Sequence, residues 1–138
     1  MIDLTTKFGK RVAHRLAKEQ ILWLTTTDNH GNPQPRPVWF LWISESILIF
    51  SQPQAHKVNH IKNHPTVALN FNSTDTGGDV VVLLGEAEIE TSPVSAEEME
   101  VYLEKYKRGL VEINMTEDEF KASYSTTIRV TPTHLRGH

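Results

Sequence analysis

Gln34-Pro35-Arg36-Pro37-Val38-Trp39-Phe40-Leu41-Trp42-Ile43 is an extended run that contains the longest unbroken apolar stretch of the chain, Val38 to Ile43. Pro35 and Pro37 offer no ladder N–H, so the run should begin on a sheet edge or at a bulge. Alternation sends Val38, Phe40 and Trp42 to one face and Pro37, Trp39 and Leu41 to the other, so at least one large aromatic lies on a face that a barrel core does not need. Upstream, Ile21 to Thr27 is rich in β-formers, and Asp28-Asn29-His30-Gly31-Asn32 is a turn. Downstream, Ser44-Glu45-Ser46 turns the chain into Ile47-Leu48-Ile49-Phe50. The three runs predict an antiparallel meander.

Working outward, Phe8, Val12 and Leu16 at four-residue spacing predict a helix over 6–18. Ser51 to Ala55 forms a loop into a short helix over 56–63, stopped by Pro65. Strands follow at Thr66 to Asn72 and Val80 to Glu90, joined by a Gly77-Gly78 turn. Ser95-Ala96-Glu97-Glu98 and Thr116-Glu117-Asp118-Glu119 read as capping boxes. The first opens a helix with Met99, Leu103, Tyr106 and Leu110 on one face, and the second encloses Phe120 and Tyr124. Thr126 to Thr131 is the last strand. Six antiparallel strands, three to four peripheral helices and no βαβ alternation predict a mainly β protein, a small six-stranded barrel filling one domain over 1–138.

The 138 residues carry 14 Lys+Arg, 17 Asp+Glu and no cysteine, for a formal charge of −3. The absence of cysteine excludes thiolate nucleophiles, zinc–thiolate sites and iron–sulfur clusters, and fits a reducing compartment. No apolar run approaches the ~20 residues of a membrane span, and the N-terminal residues do not read as a signal peptide. A cytoplasmic protein is expected. Motifs of P-loop, dinucleotide-binding, nucleophile-elbow and zincin type are absent. With pI 6.1 and no basic stripe, nucleic acid is not an expected partner. The charge is uneven: residues 1–74 carry +4, residues 75–119 carry −10 and residues 120–138 carry +3. The acidic block reads as a solvated helix face, and the basic ends could meet an anion.

Three segments could carry chemistry. His56, His60 and His64 recur at one helical turn, a spacing open to metal ligation or to a plain polar face. Phe50-Ser51-Gln52-Pro53-Gln54-Ala55-His56-Lys57 joins a strand end to a helix start, where free amides, the Ser51 hydroxyl, His56 and Lys57 could hold an anion such as phosphate. The alternative is an ordinary loop. Trp39 and its neighbours could form a dimer interface or an aromatic edge for a planar ring beside that anion site.

In order and spacing these segments resemble the pyridoxamine 5′-phosphate oxidase-like split β-barrel family of FMN- and coenzyme F420-binding proteins. The landmarks are Leu24-Thr25-Thr26-Thr27 with the Gly31 turn, Pro37-Val38-Trp39-Phe40, the Ser51 to Lys57 loop, Ile61 with Pro65-Thr66-Val67-Ala68-Leu69, and Gly85-Glu86-Ala87. The closing stretch Ile128 to Gly137 resembles the short, deazaflavin-dependent subfamily. The resemblance implies a Greek-key split barrel and a homodimer with two cofactors in the subunit interface. It also implies that Arg36, Pro37, Val38, Trp39 and Phe40 lie along the ring system, that Ser51, His56 and Lys57 hold the phosphate, and that Phe50 and Gln52 of the same loop belong to the cofactor site. Arg136 would join them from the C-terminal basic segment, as would Arg129. His56 stands where arginine or serine is common, Leu41 replaces a lysine and Val80 replaces a glutamine. The oxidase's further C-terminal region is also absent. Oxidation of pyridoxamine phosphate is therefore not expected.

The function implied is an oxidoreductase in which coenzyme F420 or FMN exchanges a hydride with a small organic substrate, with no catalytic side chain and no metal required. The rival readings are a non-catalytic flavin or deazaflavin binder and a metal binder built on the three histidines.

Overall fold

Leu22, Leu24 and Thr26 are buried and alternate with half-exposed Trp23, Thr25 and Thr27 in β1 (Leu22–Thr27), the period-two pattern of a strand with one face on a core. The computed structural model describes residues 1–138. Six further strands follow: β2 (Pro33–Val38), β3 (Leu41–Ile43), β4 (Ser46–Ser51), β5 (Thr66–Asn70), β6 (Val81–Glu90) and β7 (Thr126–Gly137). All neighbours are antiparallel, in the order β2-β1-β5-β6-β7-β4-β3. The two edge strands are consecutive in the chain, separated only by Trp39 and Phe40. The sheet therefore curls until its edges belong to one interrupted strand, and the barrel is split at that interruption.

This corrects the expected count from six strands to seven. The run expected as a single strand from Gln34 to Ile43 breaks at Phe40, whose backbone is held by side chains instead of a neighbouring strand. The Phe40 N–H donates to the Tyr106 hydroxyl at 2.8 Å, and the Phe40 carbonyl accepts from Lys105 Nζ at 2.7 Å. The Tyr106 hydroxyl in turn donates to the Gln20 carbonyl at 2.7 Å. Before the break the run pairs with β1 (Val38 opposite Leu22), and after it with β4 (Leu41 opposite Leu48). The Ser44-Glu45 turn between β3 and β4 has both residues at positive φ, 53° and 57°, the hand that suits a two-residue hairpin.

The last strand runs six residues beyond the expected Thr131 because a bulge absorbs Pro132. Leu84 pairs with His134 but Gly85 pairs with Pro132, leaving Thr133 over. A Cβ at Gly85 would stand 2.8 Å from the Thr131 carbonyl oxygen and 2.8 Å from Val130 Cγ1, so only glycine fits opposite the bulge.

Two apolar layers share β4, which is buried along its whole length. Its Ile47 and Ile49 face the barrel core with Leu24, Phe40, Leu69, Leu83 and Ile128. That core is closed by Val12 and Leu16 of α1 (Lys7–Lys18) and by Val58 and Ile61 of α2 (His56–Asn63). Leu48 and Phe50 face outward, under α3 (Ala96–Lys105), α4 (Lys107–Glu112) and α5 (Glu117–Ser123). Five helices replace the expected three to four because the helix opened by Ser95 is interrupted at Tyr106, the residue that holds Phe40. Thr116 and Glu119 form a reciprocal capping box, whereas Ser95 caps α3 from its own side only. No helix is long and apolar enough to cross a membrane.

Tyr106→Phe keeps the ring and removes the acceptor for the Phe40 amide. It should lower the unfolding free energy in urea by about 1–3 kcal/mol, the cost of stranding one buried donor; no change would mean the break is held by other contacts.

Candidate functional site

The helix α2 starts on Ala55, which has no side chain to cap it, whereas α1, α3 and α5 start on the hydroxyls of Thr6, Ser95 and Thr116. Its first turn thus presents amides without a side-chain acceptor, at the positive end of the helix dipole. His56 and Lys57 occupy that turn, and β2 lays Gln34 and Arg36 against it. Together with Thr26 and His60 they line a hollow of about 390 Å³ that contains no carboxylate. The five ion pairs of the chain all use Arg11, Arg15 or Arg129, so Arg36 and Lys57 face each other without a counter-ion. Burial holds the Lys57 ammonium below its ordinary pKa, and the Arg36 charge lowers it further. Two cations held together in this way favour an anion between them.

Lys57 also forms one wall of a second hollow, of about 320 Å³. Its other walls are Pro37, Val38 and Trp39 at the barrel split, Phe50 at the end of β4, and Tyr102, Ile113, Phe120 and Tyr124 from the helical layer. Trp39 is fixed by stacking on Tyr106, with centroids 4.5 Å apart and planes 5° apart, and on Phe120 at 6.1 Å. A Cβ at Gly109 would lie 3.1 Å from the Trp39 ring, so glycine is what lets α4 close over it. An aromatic cleft joined through one lysine to a cationic hollow suits a ligand with a planar ring at one end and a phosphate at the other. The chain's residues fit such a group.

Of the expected site residues, Arg36, His56 and Lys57 gather at the cationic hollow, and Pro37, Val38, Trp39, Phe50 and Lys57 line the aromatic cleft. Phe40 turns into the barrel core, so its side chain lines neither hollow. Ser51 is buried and its hydroxyl donates to the Gln52 carbonyl at 3.0 Å, while Gln52 is exposed. Arg136 lies ten residues along β7 from Thr126, the partner of Ser51, which is about 30 Å at roughly 3.3 Å per residue. Within one subunit it is remote from Lys57. Arg129, expected to help neutralise the same anion, is instead paired with Glu90 and Glu98 at 3.0 Å each. It sits at the largest hollow, about 1000 Å³ between the N-terminal residues, the β3–β4 turn and β7, where its charge is already neutralised.

His60 Nδ1 is 2.9 Å from Thr26 Oγ1, and no three His, Asp or Glu side chains gather as a metal site would require. Tyr102, Phe120 and Tyr124 line the cleft without having been among the expected site residues. Their signal was present as two aromatic pairs four residues apart, Tyr102 with Tyr106 and Phe120 with Tyr124, which share a helix face.

A split barrel with an aromatic cleft and a cationic hollow beside its break defines the class. The chain belongs to the pyridoxamine 5′-phosphate oxidase family, whose model matches residues 8–138. No curated protein matches it. Among solved structures it is similar to an F420 reductase (23% identity, 89% of this chain and 94% of that one, TM-score 0.66). It is also similar to HutZ, the heme storage protein of Vibrio cholerae (15% identity, 96% and 95%, TM-score 0.70). A FAD-binding protein of Mesorhizobium loti is a third (14% identity, 91% and 90%, TM-score 0.69). At these identities the likeness is one of fold.

Arg36→Ala should raise the Lys57 pKa toward, though not up to, its ordinary value, since burial, the larger cause, remains. NMR titration of the Lys57 side chain reads this directly, and an unmoved midpoint would show that the two cations do not face each other.

Proposed function

We propose that this chain is an oxidoreductase that holds FMN or coenzyme F420 in the paired hollows and exchanges a hydride with a small organic substrate. The observation that carries the proposal is Lys57, shared between a cationic hollow without counter-ions and an aromatic cleft. Arg36, Lys57 and the first turn of α2 bind the phosphate, each charged hydrogen bond contributing about 1.5–3 kcal/mol. Trp39, held by its stack on Tyr106, and the β2 backbone at Pro37 and Val38 orient the ring. Phe50, Phe120 and Ile113 exclude water from it. When bound, the cofactor supplies the hydride chemistry, and no side chain of the chain need act as acid, base or nucleophile.

The same reading takes the protein as a homodimer with two cofactors in the subunit interface. In support, Ala68, Val82 and Leu84 form a half-exposed apolar strip on the outward face of β5 and β6. Arg136 is in register with Val82, and opposed residues share a face, so Arg136 stands on that strip. A second copy docked there receives Arg136 near its own anion hollow, which a single subunit cannot supply to itself. Cytoplasmic residence belongs to the same proposal.

Titration of the full chain with FMN and with coenzyme F420 tests it. One of the two should bind, and Lys57→Ala should weaken that binding by roughly tenfold or more without lowering the thermal midpoint. Binding of neither cofactor would refute the reading. Sedimentation should give a dimer, and Arg136→Ala should weaken cofactor binding although Arg136 is remote from Lys57 in its own subunit.

A further inference from the structure

The aromatic cleft contains a polar group to which the cofactor contacts above assign no role. Tyr102 is 1% exposed and forms part of the cleft wall. The neighbouring Tyr106 hydroxyl is engaged with Phe40 and Gln20, but the Tyr102 hydroxyl bonds to no group of the protein. No buried side-chain nitrogen or oxygen in the chain is both sealed off and unpaired, so the Tyr102 oxygen keeps access to the cleft. Its place is fixed by three rings, Phe50 edge-on at 4.7 Å, Tyr106 at 4.9 Å and Phe120 at 5.7 Å. Burial, with Tyr106 and Tyr124 adding to it, pushes the phenol well above its ordinary pKa, so it remains a neutral donor at all working pH values. Of the other polar residues of the cleft, Lys57 and Trp39 carry groups that only donate, and the Tyr124 hydroxyl, like that of Tyr102, can donate. The cleft therefore complements an acceptor atom. Its apolar walls at Phe50 and Phe120 disfavour a charged one there.

We infer that the Tyr102 hydroxyl is a specificity-determining donor, selecting a planar ring that carries an uncharged carbonyl oxygen. The inference rests on the reading of the cleft as a ring site. That ring is either the cofactor's own or that of an organic acceptor of the quinone class, since both present the same carbonyl chemistry.

Tyr102→Phe removes only the unpaired oxygen and retains the packing. The dissociation constants of FMN and coenzyme F420 are measured for the wild type and the variant. Those of menadione, a naphthoquinone probe, are measured for the cofactor-loaded protein and for the chain alone. Infrared difference spectra record the carbonyl stretch of the bound ring. In the wild type the stretch should be shifted down from its free value. In Tyr102→Phe it should return toward that value, and at least one affinity should fall roughly 3- to 10-fold with the thermal midpoint unchanged. A fall confined to the cofactor assigns the ring to the cofactor, and a fall confined to menadione assigns it to the acceptor. Unchanged affinities, or an unshifted wild-type stretch, would overturn the inference. If neither cofactor binds, the proposed function fails on its own. Tyr102 is then judged on menadione and the chain alone: weaker binding in the variant upholds the inference, and equal or absent binding overturns it.

Discussion

The fold and the candidate site both depend on the anchoring of Phe40. A strand can leave one neighbour for another only if the amide and carbonyl at the crossing find other partners, since a stranded backbone pair in a core is costly. Tyr106 and Lys105 provide those partners across 66 and 65 residues of sequence. The contact closes the barrel and brings the helical layer against the split. It also sets Trp39 flat on the Tyr106 ring, so the interaction that satisfies the backbone also builds one wall of the cleft. Lys105 remains partly buried over the Phe40 ring, 3.7 Å from its centroid, and burial brings its pKa down to about 8.

The strands were legible because alternation at Leu22 to Thr27 and the unbroken apolar run at Ile47 to Phe50 leave little choice of period. The break at Phe40 was not legible, because nothing local in Val38 to Ile43 distinguishes a continuous strand from an interrupted one. The interruption is set by a tyrosine and a lysine far along the chain. The continuation of β7 past Thr131 was hidden in the same way, since Pro132 reads as a strand end until Gly85 on the opposite strand makes room for a bulge. At the site, the loop from Ser51 to Lys57 and the edge at Arg36 to Trp39 could be read from residue types. The aromatic wall from Tyr102, Phe120 and Tyr124 showed only as aromatic pairs on helix faces, and which surface those faces cover is set by the fold of α3 to α5 over β4, a tertiary choice.

Charge separates the two basic regions that the sequence placed together. Arg129 sits between two glutamates and serves the packing of α3 on the barrel, whereas Arg36 and Lys57 have no acidic neighbour and oppose one another. That opposition costs free energy and is relieved by any anion that enters. A Lys57 whose folded pKa is depressed binds fewer protons than it does in the unfolded chain between that lowered pKa and 10.5. Its contribution to stability therefore rises with pH across that window, and an anion that restores the pKa removes the rise.

The proposed function requires that one ligand bridge the cationic hollow and the aromatic cleft through Lys57. Hydrogen–deuterium exchange of the full chain, with and without saturating FMN or coenzyme F420, tests it most directly. A bridging ligand should slow exchange in two separated stretches at once, Arg36 to Phe40 and Ala55 to Val58. Protection instead around the N-terminal residues and the Ser44-Glu45 turn, beside Arg129, would place the ligand in the largest hollow and contradict the account.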